Sequence, residues 1–111
     1  MNGRSGIVFF DSVPAGSIRE TEQGYEFVYD AEYLSRPDAQ PVSLTLPLRA
    51  EPYESTIFFP FFDGLIPEGW LLNVAAGTWK LNPHDRMGLL LSVCADSIGA
   101  VTVRNNAEEK T

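Results

Sequence analysis

The first half of this chain reads as strands, with apolar residues alternating in part at Tyr25 to Asp30 and with a period of two at Val42 to Leu46, and helical spacing begins only at residue 56. That order, strands first, helices next and one strand to close, restricts the fold more than any other feature. Gly6-Ile7-Val8-Phe9-Phe10 is β-branched and aromatic, and turn chemistry follows in Asp11-Ser12-Val13-Pro14-Ala15-Gly16. A short second strand is predicted from Ser17 to Thr21, and Glu22-Gln23-Gly24 turns the chain again. Tyr25 to Asp30 then puts Tyr25, Phe27 and Tyr29 on one face, over a core. Arg36 to Pro41 is a loop, because each proline pushes its predecessor out of the helical region. Val42-Ser43-Leu44-Thr45-Leu46 alternates and predicts a strand that Pro47 limits.

Prolines punctuate the helical half. Pro60 suits a first helical turn, where its missing N–H is no loss, and Phe61, Phe62 and Leu65 share a face beyond it. Pro67 repeats the device, with Glu68 in the first turn of a helix that carries Trp70 to Ala76 and stops at Gly77. Asn82 as N-cap and Pro83 at the first helical position start another helix, with Asp85 three residues after the cap. Along it Met87, Leu90, Leu91 and Cys94 follow at helical spacing. Ile98 to Val103 makes the last strand. Segregated elements of this kind predict an α+β fold: a small antiparallel sheet, built from the N-terminal meander and the closing C-terminal strand, packed by two or three helices. At 111 residues there is room for one domain. We place it at residues 1–104, with 105–111 as a polar tail.

Charge and composition exclude several classes. No apolar run approaches the ~20 residues of a membrane-spanning helix or a secretory core of ~7–15. The single cysteine, Cys94, has no internal disulfide partner, which fits a cytoplasmic protein. The net charge is −7, and eight scattered basic residues form no patch for phosphates, so direct nucleic-acid binding is not expected. The imbalance is uneven: Glu20 to Asp63 holds nine acids and two arginines, while the remainder balances. A solvated face accounts for that segment, and so does a surface that meets a basic partner.

No catalytic constellation emerges. His84 is the only histidine and has no cysteine or carboxylate at metal-ligand spacing, so no metal is expected. Cys94 lies on an apolar helix side without a neighbouring cation or base and reads as core filler. The nine glycines never cluster into a phosphate-binding loop, and no cofactor is implied. Phe62-Asp63-Gly64 shares only composition with the magnesium-binding Asp-Phe-Gly of kinases, with the order wrong and no catalytic-loop motif beside it. Carboxylate pairs such as Glu20/Glu22 or Glu51/Glu54 read as solvated side chains on so acidic a chain. Trp70 is different. Leu71, Leu72 and Ala75 already give its helix an apolar face, so the indole is either at the edge of the core or an anchor for a partner.

Phe61-Phe62-Asp63-Gly64-Leu65-Ile66-Pro67-Glu68-Gly69 resembles the "FFxxLLPEG" signature in the N-terminal subdomain of HipA-like proteins. Tyr25 to Leu34 resembles that family's "F-x-Y-x-x-x-Y-L" stretch, and Ser43 to Leu48 its "SLSLPL" segment. Ala95 to Val101 is similar to its "G-x-D-x-x-G-A" turn and strand, with Ala95 in place of the first glycine. Four motifs in order cover Gly6 to Val103. The resemblance implies kinship with serine/threonine kinase toxins whose catalytic apparatus follows this subdomain. A free-standing copy is similar to the small component of tripartite HipB–HipS–HipT systems, and the expectation is therefore a non-enzymatic antitoxin. Its implied partners are a HipT-like kinase toxin and, in a larger complex, a HipB-like helix-turn-helix DNA-binding protein. Trp70 departs from the smaller or polar residue usual after Pro-Glu-Gly. Pro67, Glu68, Gly69, Trp70 and Asn73 are accordingly expected to form the partner-binding segment, with Trp70 at the kinase cleft. Two other roles remain open: a structural subunit that completes the kinase fold, and an acidic corepressor acting on the DNA-binding partner.

Overall fold

The computed structural model describes residues 3–66, 85–93 and 100–105. Their elements are β1 (Ser5–Phe10), β2 (Val13–Thr21), β3 (Gly24–Tyr29), α1 (Ala31–Leu34), β4 (Tyr53–Ser55), α2 (Pro60–Asp63), α3 (Arg86–Val93) and β5 (Val101–Asn105). The five strands form one sheet in the order β4-β3-β2-β1-β5, antiparallel throughout. The predicted α+β class is observed. The last strand lies against the first, Val8 opposite Val103 and Phe10 opposite Val101, so the closing strand completes one side of the meander.

The first hairpin turns more tightly than its sequence suggested. Only Asp11 and Ser12 form the turn, at φ 51° and 69°, a left-handed pair whose twist suits a two-residue hairpin. β2 therefore starts at Val13 and runs nine residues, where the pattern had predicted turn to Gly16 and strand only from Ser17. Pro14 hid the continuity. Val8 pairs with Gly16 and Phe9 with Pro14, so Ala15 is an extra residue in β2, and the resulting bulge accommodates the proline. The Ala15 carbonyl accepts the Asp30 N–H at 2.8 Å, which joins the bulge to the end of β3. Beside it, a Cβ on Gly16 would stand 2.3 Å from the Val28 carbonyl oxygen, so only glycine permits this approach of β2 to β3.

One sheet face carries the core. Ile18, Phe27 and Tyr53 lie side by side across β2, β3 and β4. Phe27 and Tyr29 are buried there and Tyr25 is half-buried, as the alternation predicts. All three described helices pack on this face. Phe62 of α2 lies 5.4 Å from the Phe27 ring, Tyr33 of α1 stacks on Tyr29 at 6.1 Å, and Leu91 of α3 covers Gly6. α1 and β4 are too short to leave a periodic signature, and neither was anticipated. α2 has Pro60 at its first position, as expected, and is a single turn after the Phe59 cap.

Two further expectations are corrected. Val42–Leu46 is a turn, not a strand: only an isolated bridge joins Ser43 to Leu46. The Ser43 Oγ accepts the Thr45 N–H at 3.1 Å, a side-chain turn that competes with extended backbone. Val42 and Leu46 are buried while Leu44 is 95% exposed, so the alternation records two anchors around a protruding tip. The last described helix, α3, is capped three residues later than predicted. Asp85 accepts the Gly88 N–H through Oδ1 at 3.1 Å and the Leu89 N–H through its carbonyl at 3.0 Å. Asn82, Pro83, His84 and Cys94, and the helix predicted from Pro67, lie outside the described residues. β5 runs Val101–Asn105 where Ile98 to Val103 was predicted, and Ile98 and Gly99 also lie outside them.

Candidate partner-binding surface

Pro67, Glu68, Gly69, Trp70 and Asn73 all fall outside the described residues. The structure shows the frame on either side of them. On the N-terminal side, α2 ends in two further turns of chain, Leu65 N–H to Phe62 O at 3.1 Å and Ile66 N–H to Asp63 O at 3.2 Å. Ile66 is buried at 4% exposure, so the chain is fixed up to the residue before Pro67. On the C-terminal side, Asp85 opens α3, whose Met87, Leu89 and Leu90 are all buried. An ion pair from the Arg86 Nε to Asp63 Oδ1 joins the two sides directly.

Asp85 is also tied to the sheet. The Arg4 guanidinium donates to both of its carboxylate oxygens at 2.8 Å, and to the Glu20 carboxylate at 2.7 and 3.0 Å. Those hydrogen bonds hold both the Glu20 and Asp85 carboxyls below the usual carboxylate range, and the same contacts raise the Arg4 pKa. Asp30 shifts the other way, raised by burial and then by Glu32.

A second feature is the loop between α1 and β4. Two tyrosine hydroxyls suspend it from the core. The Tyr29 hydroxyl donates to the Leu46 carbonyl and accepts the Val42 N–H at 3.0 Å. The Tyr33 hydroxyl donates to the Gln40 carbonyl at 2.6 Å and accepts the Gln40 N–H at 3.1 Å. Below the tip at Leu44, a groove of about 210 Å³ is lined by Thr45, Leu46, Tyr53, Phe59, Pro60 and Phe61, among others. Leu44 and Ile57, 66% exposed, are the large apolar side chains left most open among the described residues. Sequence reasoning missed this arrangement, because the signal that spaces two tyrosines against a later loop is long-range.

The acidic segment looks different once folded. Of its nine acids, Glu20, Glu26, Asp38 and Asp63 are in ion pairs, and three of their partners, Arg4, Arg19 and Arg86, come from outside it. Folding thus spreads over the molecule a charge imbalance that is concentrated along the chain. Asp63, the residue that gave a kinase-like composition to Phe62-Asp63-Gly64, is engaged with Arg86. Among the described residues no group of three or more metal-ligating side chains converges, and no helix is long and apolar enough to cross a membrane.

These features define a class: an α+β domain with a five-stranded meander sheet, short helices on one face, and ion pairs and apolar tips at its surface. The chain belongs to the HipA N-terminal domain family, whose model matches residues 6–104. An uncharacterized protein of Haemophilus influenzae is 35% identical over 107 residues, which is 96% of this chain and 94% of that protein. "Putative kinase Y4mE" of Sinorhizobium fredii is 30% identical over 103 residues, 92% of this chain but only 24% of its own length. Among solved structures, an N-terminal domain of HipA toxin superposes with a TM-score of 0.68 at 31% identity, covering 93% of this chain and 92% of that one. A HipA N-terminal domain taken by itself is a non-catalytic subdomain.

Proposed function

We propose that this chain is an antitoxin that binds a separately encoded HipA-like serine/threonine kinase and inhibits it. The carrying observation is a contrast in lengths. The same domain makes up 94% of one relative and 24% of another that is named a kinase. A domain found in both settings is suited to dock, as a separate polypeptide, where a longer relative carries it in the same chain. The segment Pro67, Glu68, Gly69, Trp70 and Asn73 makes the contact, springing from the fixed residues Ile66 and Asp85. Trp70 enters the kinase cleft and blocks nucleotide or peptide, while Glu68 and Gly69 hold the register. A HipB-like DNA-binding protein joins the same complex, in the cytoplasm.

One buried tryptophan at an interface supplies ~2–4 kcal/mol, a loss of about 30-fold or more in affinity when it is removed. Trp70→Ala is therefore expected to abolish growth rescue and to weaken kinase inhibition by that factor, with the urea midpoint unchanged. Unchanged neutralisation refutes the plug. A second reading, a subunit that completes the kinase fold without inhibiting it, draws on the kinase-named relative. Kinase activity with and without this chain separates them, since a scaffold leaves activity equal or raised.

A further inference from the structure

β4 ends the sheet: β3 pairs with one of its edges, and among the described residues no strand pairs with the other. An open edge offers backbone N–H and C=O groups to an added strand. The two faces of this edge differ in chemistry. On the core side, Tyr53 and Ser55 line the groove of about 210 Å³ together with Leu46, Phe59 and Phe61. Leu44 adjoins the lining residue Thr45 in the chain, and Ile57 stands between Ser55 and Phe59. The two large apolar side chains left most open among the described residues, at 95% and 66% exposure, thus border one depression with room for an apolar side chain.

On the opposite face the register sets a row of charges. Arg19 of β2 stands opposite Glu26 of β3, and Glu26 opposite Glu54 of β4. Arg19 pairs with Glu26. Glu54 is exposed, its cross-strand neighbour is another carboxylate, and no cation among the described residues pairs with it. Arg49, near in the chain, is engaged elsewhere: it lies 3.7 Å over the Tyr53 ring and donates to the Glu51 and Pro52 carbonyls at 3.1 and 2.8 Å. Opposite charges across a strand pair stabilise it and like charges destabilise it. The place beyond Glu54 in this row therefore favours a cation. A second copy of the chain fits badly, because two-fold pairing of β4 about its central residue sets Glu54 against Glu54.

We propose that the open edge of β4 binds an extended basic segment of a partner protein as a sixth strand. Side chains of a strand alternate between faces, so one that places an apolar residue in the groove places the next beside Glu54, as lysine or arginine. Groove and charge row thus call for a single pattern, apolar and basic by turns. This inference makes no use of residues 67–84 and is independent of the function proposed above.

Three end-blocked heptapeptides serve as probes: alternating leucine and lysine, alternating leucine and glutamate, and the leucine–lysine composition arranged in two blocks. Each is titrated into the isotope-labelled full chain, as wild type, Glu54→Lys, Glu54→Gln and the double variant Leu44→Ser with Ile57→Ser, and backbone amide shifts are followed by NMR. The alternating lysine peptide is expected to give saturable shifts at Tyr53, Glu54 and Ser55, and to bind the wild type about fivefold or more tightly than the glutamate peptide. Glu54→Lys should invert that preference and Glu54→Gln abolish it; if the lysine variant does not fold, the glutamine variant decides. Loss of the two apolar tips should weaken both alternating peptides about threefold or more. Several results overturn the proposal: no saturable binding up to about 5 mM, shifts centred away from β4, equal binding of the block peptide, or a preference that Glu54→Lys and Glu54→Gln leave unchanged. Concentration-dependent dimers of the wild type, with their contact shifts at β4, overturn the assignment of a basic partner in favour of a second copy.

Discussion

Tyr29→Phe and Tyr33→Phe delete the same atom from two residues that make the same pair of hydrogen bonds, in different surroundings. Each hydroxyl donates to one loop carbonyl and accepts one loop N–H. For Tyr29 both loop partners belong to buried residues, Val42 at 5% and Leu46 at 4% exposure. Removing the hydroxyl strands a donor and an acceptor away from water, each costing about 1–3 kcal/mol, against a net of about 1 kcal/mol for an ordinary hydrogen bond. Backbone relaxation recovers part, so we expect a loss of about 2–4 kcal/mol for Tyr29→Phe. Gln40, the partner of Tyr33, is exposed, and water replaces the lost hydroxyl there. Tyr33→Phe should cost about 1 kcal/mol.

Urea unfolding of the two variants measures the difference. With a slope of roughly 1–1.5 kcal/mol per molar for a domain of this size, the Tyr29→Phe midpoint should fall by about 2 M and that of Tyr33→Phe by less than 1 M. Alkaline pH gives an internal control. Burial pushes the Tyr29 phenol up to about 12, above its ordinary value of 10.0. The folded state therefore holds this proton more tightly than the unfolded one, and the associated stability is full below pH 10 and lost as pH rises through 10 to 12. Tyr29→Phe should remove that part of the alkaline limb. Equal midpoints for the two variants, or a Tyr29→Phe loss below about 1 kcal/mol, refute the claim that buried hydroxyl bonds hold this loop.

Two other substitutions test the corrected local structure. Leu44→Ala should change stability by less than about 0.5 kcal/mol, whereas Leu46→Ala should cost about 2–4 kcal/mol; a strand with both leucines on one buried face would give similar losses in thermal or urea melts. Gly16→Ala drives a Cβ against the Val28 carbonyl and should destabilise by about 1–3 kcal/mol, while a melt like wild type would show that β2 and β3 separate without cost.

The parts of this fold that were legible in the sequence are those where a local pattern and its tertiary surroundings agree. Tyr25, Phe27 and Tyr29 alternate and do face the core, and Pro60 starts a helix because its ring geometry suits the first turn wherever the helix packs. The misreadings have a common cause. Pro14 and Gly16 carry turn chemistry locally, yet a bulge against β1 keeps the strand running. Val42 to Leu46 alternates like a strand, yet the hydroxyls of Ser43 and Tyr29 satisfy its backbone another way. In each case pairing with another segment outweighs local propensity: β1 across a tight hairpin for Pro14 and Gly16, and for Val42 and Leu46 the Tyr29 hydroxyl, which lies outside any window of a dozen residues that holds them.

The same reasoning separates two kinds of information about the site. Arg4 and Asp85 are 81 positions apart, and nothing in the spacing of either predicts their pairing. Spacing likewise left Trp70 between core edge and partner anchor, and it was the family motif around Pro67-Glu68-Gly69 that gave the segment a role. Charge shows the limit of linear reading most clearly. The acidic stretch suggested a solvated face or a surface for a basic partner, but Arg4 just before β1, Arg19 of β2 and Arg86 of α3 reach into it, and four of its nine carboxylates are already in ion pairs. A partner attracted by bulk charge would meet a surface partly neutralised from within. If the proposed function holds and Trp70 anchors the kinase, salt should weaken that binding only modestly, because a desolvated indole is insensitive to screening while exposed charges are not. A steep loss of affinity between low and moderate salt would shift the interface from the tryptophan segment to the acids that remain.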